Sequence, residues 1–454
     1  MKMAGHKRNL LVIRIIALLG VCCCIYWWII EPSLEPIAAF FAALVAFITT
    51  FIPHRSLQPP PPVVGRGGPK PVVLVVGSAV VEHILTVTDS DHVKIGEKQL
   101  VKRDEFVGGS GVNYACRLMA AGIPALPILP VANDRGGQKI QQYLLDLAKN
   151  NKQPRYVTEF IQDGFFWNVL SNTPQSTILI SNGERSVFTE SIGKVDGYTD
   201  FVKTRIEKIH DLTGDPIGAV MIGHIQLDKK GSREKAGSTT KFLIDTFSTD
   251  HKVFVNLGNT QYRLGKEFWK DSLKKVTVFQ LSINEAREFF RVGQQTPNDP
   301  SWTLGGMFQW FSQENITAVI TLERFGAVAQ MKKTLGTDQG GQNIKKKEEL
   351  YFGWPYEIDN FVDGTGAGDA FLAGTVSELM SIDKRPIRES DFQGAIVIAR
   401  MWAAYACTKP GGANDPPSPD DLALFKNQTQ TFWPVVNSVR EESELILKLL
   451  DRAF

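Results

Sequence analysis

The stretch NFVDGTGAGDAFLAGTVSEL, residues 360–379, sets three glycines beside Asp369 where an apolar, helix-like segment begins. Glycine in a helix interior costs roughly 1 kcal/mol, so a cluster at a helix entrance needs a reason. A short extended piece, Phe361 and Val362, runs into Asp363-Gly364-Thr365-Gly366-Ala367-Gly368-Asp369, and 370–379 continues as helix. A helix N-terminus offers unpaired N–H groups and a partial positive charge, which suit an anion. Gly366 and Gly368 would let a phosphate approach the backbone, with Asp369 beside it in the first turn. A carboxylate next to a phosphate is unfavourable unless it has a task, and accepting the proton of an attacking hydroxyl is one. The plainer alternative is a glycine-rich turn with Asp369 as a helix-end charge. Other phosphate motifs are absent: there is no G-x-x-x-x-G-K-[ST] and no G-x-G-x-x-G opening a helix after a strand.

Around this stretch the chain alternates. Strand-like runs at 72–76, 125–131, 176–180, 219–222, 253–257, 276–281 and 318–322 are mostly separated by helical spacing, as at 112–121 and 138–149. Such alternation over some 380 residues predicts one α/β domain with a mainly parallel, helix-covered sheet. STILISNGERSVFTE, 176–190, alternates apolar and polar residues around Asn182-Gly183, which predicts an antiparallel hairpin in a small side sheet or lid.

Two motifs then carry a resemblance. VDGTGAGDAFLAG, 362–374, resembles the C-terminal signature of the ribokinase-like carbohydrate kinases, and GGSGVNYACRLMAAGI, 108–123, their Gly-Gly-x-Gly-x-Asn motif. VLVVGSAVVEHIL, GNTQYRLG, LSINEAREFF and ITLERFGAVA follow the family's order, so the resemblance covers about 72–425. It implies a three-layer α/β sandwich with a mainly parallel sheet and a small β lid, acting as an ATP- and Mg²⁺-dependent kinase on a hydroxyl of a sugar or nucleoside-like molecule. By the same resemblance Asp369 is the base, with Gly366, Ala367 and Gly368 as the anion hole. Glu82, Gly109 and Asn113 would contact substrate; Asn284, Thr321 and Gly326 would face the nucleotide; Asp363 and Thr365 would hold a monovalent cation, K⁺ for instance. The sequence also departs from the pattern. Glu82 stands where aspartate is usual, Arg287 where a metal-associated glutamate is expected (with Glu285 or Glu288 as substitutes), and Glu323 where the nucleotide loop has glycine. These departures keep open a second reading, a kinase-fold sensor or scaffold that binds without turnover.

Composition adds bounds. Of 454 residues 43% are hydrophobic and 22% charged, and the net charge of +2 gives no electrostatic case for a nucleic-acid partner. Five cysteines lack any paired or metal-ligand spacing, so reduced thiols are expected. At the N-terminus, LLVIRIIALLGVCCCIYWWII (10–30) is long enough to cross a bilayer, and a second apolar run follows within 36–52. Lys2, Lys7 and Arg8 before the first run and His54, Arg55, Arg66 and Lys70 after the second flank a loop with Glu31 and Glu35. The positive-inside rule then predicts a two-span membrane hairpin over 1–55 with a lipid bilayer as partner, a Pro/Gly linker at 56–70, and a kinase domain at 71–454 in the cytoplasm. The lid leaves a homodimer open.

Overall fold

The structure, a computed structural model, describes residues 71–87, 96–181, 184–190, 197–212, 217–225, 237–292, 302–332, 336–337, 343–344, 349–380, 387–428, 435–438 and 440–453. All of them belong to one compact unit, Gly65–Phe454.

Its first strand, β1 (Val72–Val76), is an unbroken run of β-branched and aliphatic residues, each fully buried. A strand apolar on both faces belongs inside a parallel sheet covered by helices. Here β1 pairs in parallel with β4 (Ala125–Ile128) on one side and β7 (Ile217–Ile222) on the other. Parallel pairing continues through β8 (Lys252–Asn256), β9 (Val278–Ser282) and β10 (Ala318–Thr321). After β10 the chain has only five residues before β11 (Ala327–Gln330), too few for a crossover, so β11 pairs antiparallel. β14 (Leu350–Gly353) and β15 (Val435–Ser438) add two further antiparallel strands, and the nine-stranded order is β15-β14-β11-β10-β9-β8-β7-β1-β4. Two short strands, β12 (Gly336–Thr337) and β13 (Asn343–Ile344), pair only with each other. Pro127 is tolerated in β4 because that strand is the sheet's edge.

A second sheet forms the lid, in the order β3-β2-β5-β6. β5 (Gln175–Ser181) and β6 (Glu184–Thr189) are the expected antiparallel hairpin, whose Asn182-Gly183 turn lies outside the described residues. β2 (Val80–Val87) and β3 (Val101–Gly108) complete it. The sequence reading had not set these two apart as strands; β3 exposes half of its residues and shows no apolar alternation.

One expectation is corrected. Among the described residues no helix is long and apolar enough to cross a membrane. The longest described helix, Glu389–Ala406, has 18 residues, carries Glu389, Asp391 and Arg400, and packs against helix Ala367–Leu379. The two-span membrane localisation with a cytoplasmic kinase domain is therefore not supported, and the lipid bilayer falls with it as a partner. The segments behind that reading, 10–30 and 36–52, and the linker 56–70 lie outside the described residues.

Candidate active site

The site collects at the C-terminal ends of the parallel strands, where open α/β sheets bind ligands. β1 ends at Val76, and the chain turns at Gly77 and Ser78 into the lid. It returns through β3 to Gly109, whose φ of 93° is open to glycine at little cost, and starts helix Ser110–Ala120. Ser78 fixes that start: its carbonyl accepts the Gly111 amide at 2.9 Å and its hydroxyl the Ser110 amide at 3.0 Å. The helix's first turn presents Asn113, which is 4% exposed.

Helix Ala367–Leu379 comes from the other end of the chain and packs on helix Ser110–Ala120. Its N-cap, Gly366, is left-handed at φ 72°. Asp369, in the first turn, accepts a 2.6 Å hydrogen bond from the Asn113 side-chain amide across 256 residues of sequence. Asn113 Oδ1 is buried and has no hydrogen-bond partner among the described residues. The two motifs therefore meet: base candidate and substrate-contact candidate touch, and an acceptor is left over beside them.

The helix entrance is held from three sides. Gln280, in β9, donates to the Gly368 carbonyl at 2.8 Å. Asp363 closes the preceding loop, taking the Thr365 amide and hydroxyl on one oxygen at 2.9 and 2.8 Å and the Gly411 amide on the other at 3.0 Å. Gly412 packs its backbone against Gly366, where an added Cβ would come within 2.7 Å of the Gly412 Cα. The Ala367 amide is engaged with the Gly364 carbonyl at a long 3.2 Å. No such bond is recorded for the Gly366 or Gly368 amide among the described residues, and Gly368 is exposed.

Glu82 lies in β2 opposite Phe106 of β3, is 7% exposed, and packs its carboxyl against Gly108. It is therefore no surface glutamate. On the opposite flank Ser282 caps helix Ile283–Arg291, and Glu285 answers by accepting the Ser282 amide at 2.8 Å. This capping box leaves the other Glu285 oxygen 3.9 Å from His224 Nε2. His224 in turn pairs with Asn256 at 2.6 Å, and Asn256 donates to the Gln280 carbonyl. Asn284 is exposed and donates to Glu323 at 3.1 Å, between Thr321 at the end of β10 and Gly326. Burial raises the Asp451 carboxyl of the C-terminal helix above its ordinary pKa, and the charge of Arg287 opposes that shift.

Sequence reasoning missed several residues of this centre: Tyr114, Arg117, His224, Asn256, Gln280 and the loop 411–413. Tyr114 is fully buried, and burial, together with the charge of the Asp369 carboxylate and a hydrogen bond to it, pushes its hydroxyl well above its ordinary pKa. The paired glycines of 411–412 were the only visible signal for that loop. Of the cysteines, Cys116 and Cys407 are free thiols, and burial pushes Cys116 up to about 12, which makes it unreactive.

Comparison with known proteins sets this geometry in a class. No family model matches the chain, and no curated protein sequence does. Solved structures do. Ribokinase from Giardia lamblia is similar at a TM-score of 0.56 and 14% identity, over 79% of this chain and 99% of that one. A nucleoside kinase from Methanocaldococcus jannaschii, an archaeal member of the ribokinase family, gives 0.53 and 14%, over 80% and 100%. A fructokinase double mutant from Vibrio cholerae, bound to fructose, ADP and potassium, gives 0.50 and 17%, over 79% and 99%. At such identities the likeness establishes the fold. The described unit has the ribokinase-like α/β fold, with a mainly parallel central sheet.

Proposed function

We propose that this chain is an ATP-dependent kinase for a hydroxyl of a sugar or nucleoside-like small molecule, with residues 71–454 as its kinase domain. The observation that carries the reading is the 2.6 Å contact of Asn113 with Asp369 at a left-handed glycine entrance, which joins two remote motifs into one centre. Asp369 takes the proton of the attacking hydroxyl. The amides of Gly366, Ala367 and Gly368 receive the transferring phosphoryl group, for which Ala367 gives up its long bond to Gly364. Glu82 and Asn113 Oδ1 accept hydrogen bonds from substrate hydroxyls. Thr321, Gly326 and Asn284 line the nucleotide side.

Among the described residues no group of three or more His, Cys, Asp or Glu forms a protein cage for a metal. The donors fit a magnesium ion carried largely by nucleotide phosphates, with Glu285 as the protein carboxylate nearest in role. Bound there, the ion would neutralise charge on the transferred group. A potassium ion is assigned to the loop that Asp363 and Thr365 close, and replacing KCl by choline chloride tests it. Phosphate transfer from ATP and Mg²⁺ to a panel of pentoses, hexoses and nucleosides tests the whole reading; an absence of phosphorylated product across the panel would count against it.

Glu82→Gln should raise KM for the best acceptor by about 10-fold or more, since a charge-assisted hydrogen bond contributes about 1.5–3 kcal/mol. An unchanged KM would make Glu82 a packing residue of the lid.

One contact favours the second reading, a sensor that binds nucleotide or sugar without turnover. Glu323 sits at φ 50° and its carboxylate, held by Asn284, places negative charge on the nucleotide side. Glu323→Gly should tighten ATP binding by about 10-fold, the equivalent of removing about 1.4 kcal/mol of like-charge repulsion. Titration calorimetry on both proteins decides it: equal affinities would show that Glu323 does not restrict the nucleotide.

A further inference from the structure

Helix Ser110–Ala120 places Arg117 four residues after Asn113, on the same face and one turn further in. Its side chain is 1% exposed. A buried guanidinium is unfavourable unless an opposite charge and hydrogen bonds compensate it. One terminal nitrogen donates to the Gly412 carbonyl at 2.6 Å, while Nε is buried with no hydrogen-bond partner.

The groups whose charge acts on Arg117 are Asp369, Cys116, Tyr143 and Cys407, with Asp369 foremost. Burial draws the guanidinium below its ordinary pKa, and these four oppose that. Burial also pushes the Cys116 thiol up to about 12 and raises the Tyr143 hydroxyl, so neither supplies an anion near neutral pH. Asp369 is the one carboxylate of the four. The Gly412 peptide that Arg117 holds packs on Gly366 and against the Asn113 amide. One buried cation therefore touches the wall of the helix entrance and acts on the charge of the base candidate.

We propose that Arg117 is a positioning residue: its bond to Gly412 braces the glycine entrance of helix Ala367–Leu379, which sets its buried guanidinium within electrostatic reach of the Asp369 carboxylate that this entrance carries. The catalytic consequence rests on the kinase reading; the pairing of Arg117 with Asp369 does not. Arg117→Met keeps length and apolar packing and removes the charge. In the kinase assay kcat should fall by about 10- to 100-fold with both KM values within about 3-fold, and Arg117→Lys should recover most of the loss. A kcat for Arg117→Met equal to that of the parent would overturn the proposal, as would equal damage from Arg117→Met and Arg117→Lys.

A thermal-unfolding cycle tests the pairing without turnover. Asp369→Asn alone strands the buried cation and should lower Tm, whereas in an Arg117→Met background the same change should cost little. Additive Tm shifts would overturn the pairing even if the chain is a kinase. If Arg117→Met does not fold, Arg117→Lys takes its place: the lysine keeps the charge, so the Asp369→Asn loss must persist there, and its disappearance would overturn the proposal. A parent chain with no turnover on any acceptor sinks the kinase reading, and the cycle still decides on Arg117.

Discussion

Asp369→Asn should turn over substrate at least about 100-fold more slowly than the parent chain and should still bind nucleotide as well or better. The substitution preserves shape and the place in the first helical turn, and the Asn113 amide can still donate to the remaining carbonyl oxygen. What disappears is the group that the proposed mechanism has accept the hydroxyl proton, and general-base catalysis contributes typically about 10²–10⁴-fold. Removing a negative charge beside the nucleotide phosphates also removes a Coulomb repulsion, so affinity has no reason to fall. Single-turnover kinetics and titration calorimetry on the same preparation separate the two effects. If Asp369 were merely a helix-end charge, turnover would stay near normal. Unimpaired turnover of purified Asp369→Asn would falsify the catalytic assignment. Should the parent show no turnover, only binding and stability can respond, and the sensor reading leads.

The sequence made the parallel half of the sheet legible because burial on both faces leaves a local mark. β1, β7, β8, β9 and β10 are short apolar runs, and each falls within two residues of where the pattern puts it. The hairpin of β5 and β6 was legible for the same kind of reason, a period of two around a turn dipeptide. The antiparallel strands β11, β14 and β15 were not marked as strands, since their pairing depends on neighbours far along the chain.

The site divides in the same way. The glycine-rich helix entrance with Asp369 in its first turn could be read, because a left-handed N-cap and a tight loop before it need a local composition. The partners that fix them could not. Gln280 reaches Gly368 over 88 residues, and Arg117 reaches Gly412 over 295. Neither residue differs locally from an ordinary core or helix residue. Arg287, read as a departure at the metal position, acts on the charge of Asp451, and the acid on the site's flank is Glu285, whose place follows from capping at Ser282.

Gly366→Ala should reduce turnover by about 10²–10³-fold while Asp369 and Asn113 are both still present. At φ 72° an alanine adopts a left-handed conformation that costs about 1–2 kcal/mol. Its Cβ would also stand 2.7 Å from the Gly412 Cα and 2.9 Å from the Gly412 oxygen, and both neighbours are backbone. Backbone cannot rotate aside as a side chain would, so either the helix entrance or the loop 411–413 must shift. On the proposed mechanism a shift of the entrance withdraws amides from the phosphoryl oxygen, and losing one such donor costs typically about 10²–10³-fold in kcat. A shift of the loop loosens the Gly411 amide from Asp363 and the Gly412 carbonyl from Arg117, which reaches the same entrance from behind. Both routes act on kcat more than on KM for the acceptor, whose proposed contact Glu82 lies in the lid. Gly364→Ala is the control: its nearest neighbour, the end of the Phe361 ring, is 4.0 Å away, so turnover should stay within about 3-fold of the parent. Equal, mild effects of the two substitutions would mean that the amides at this entrance do not receive the phosphoryl group.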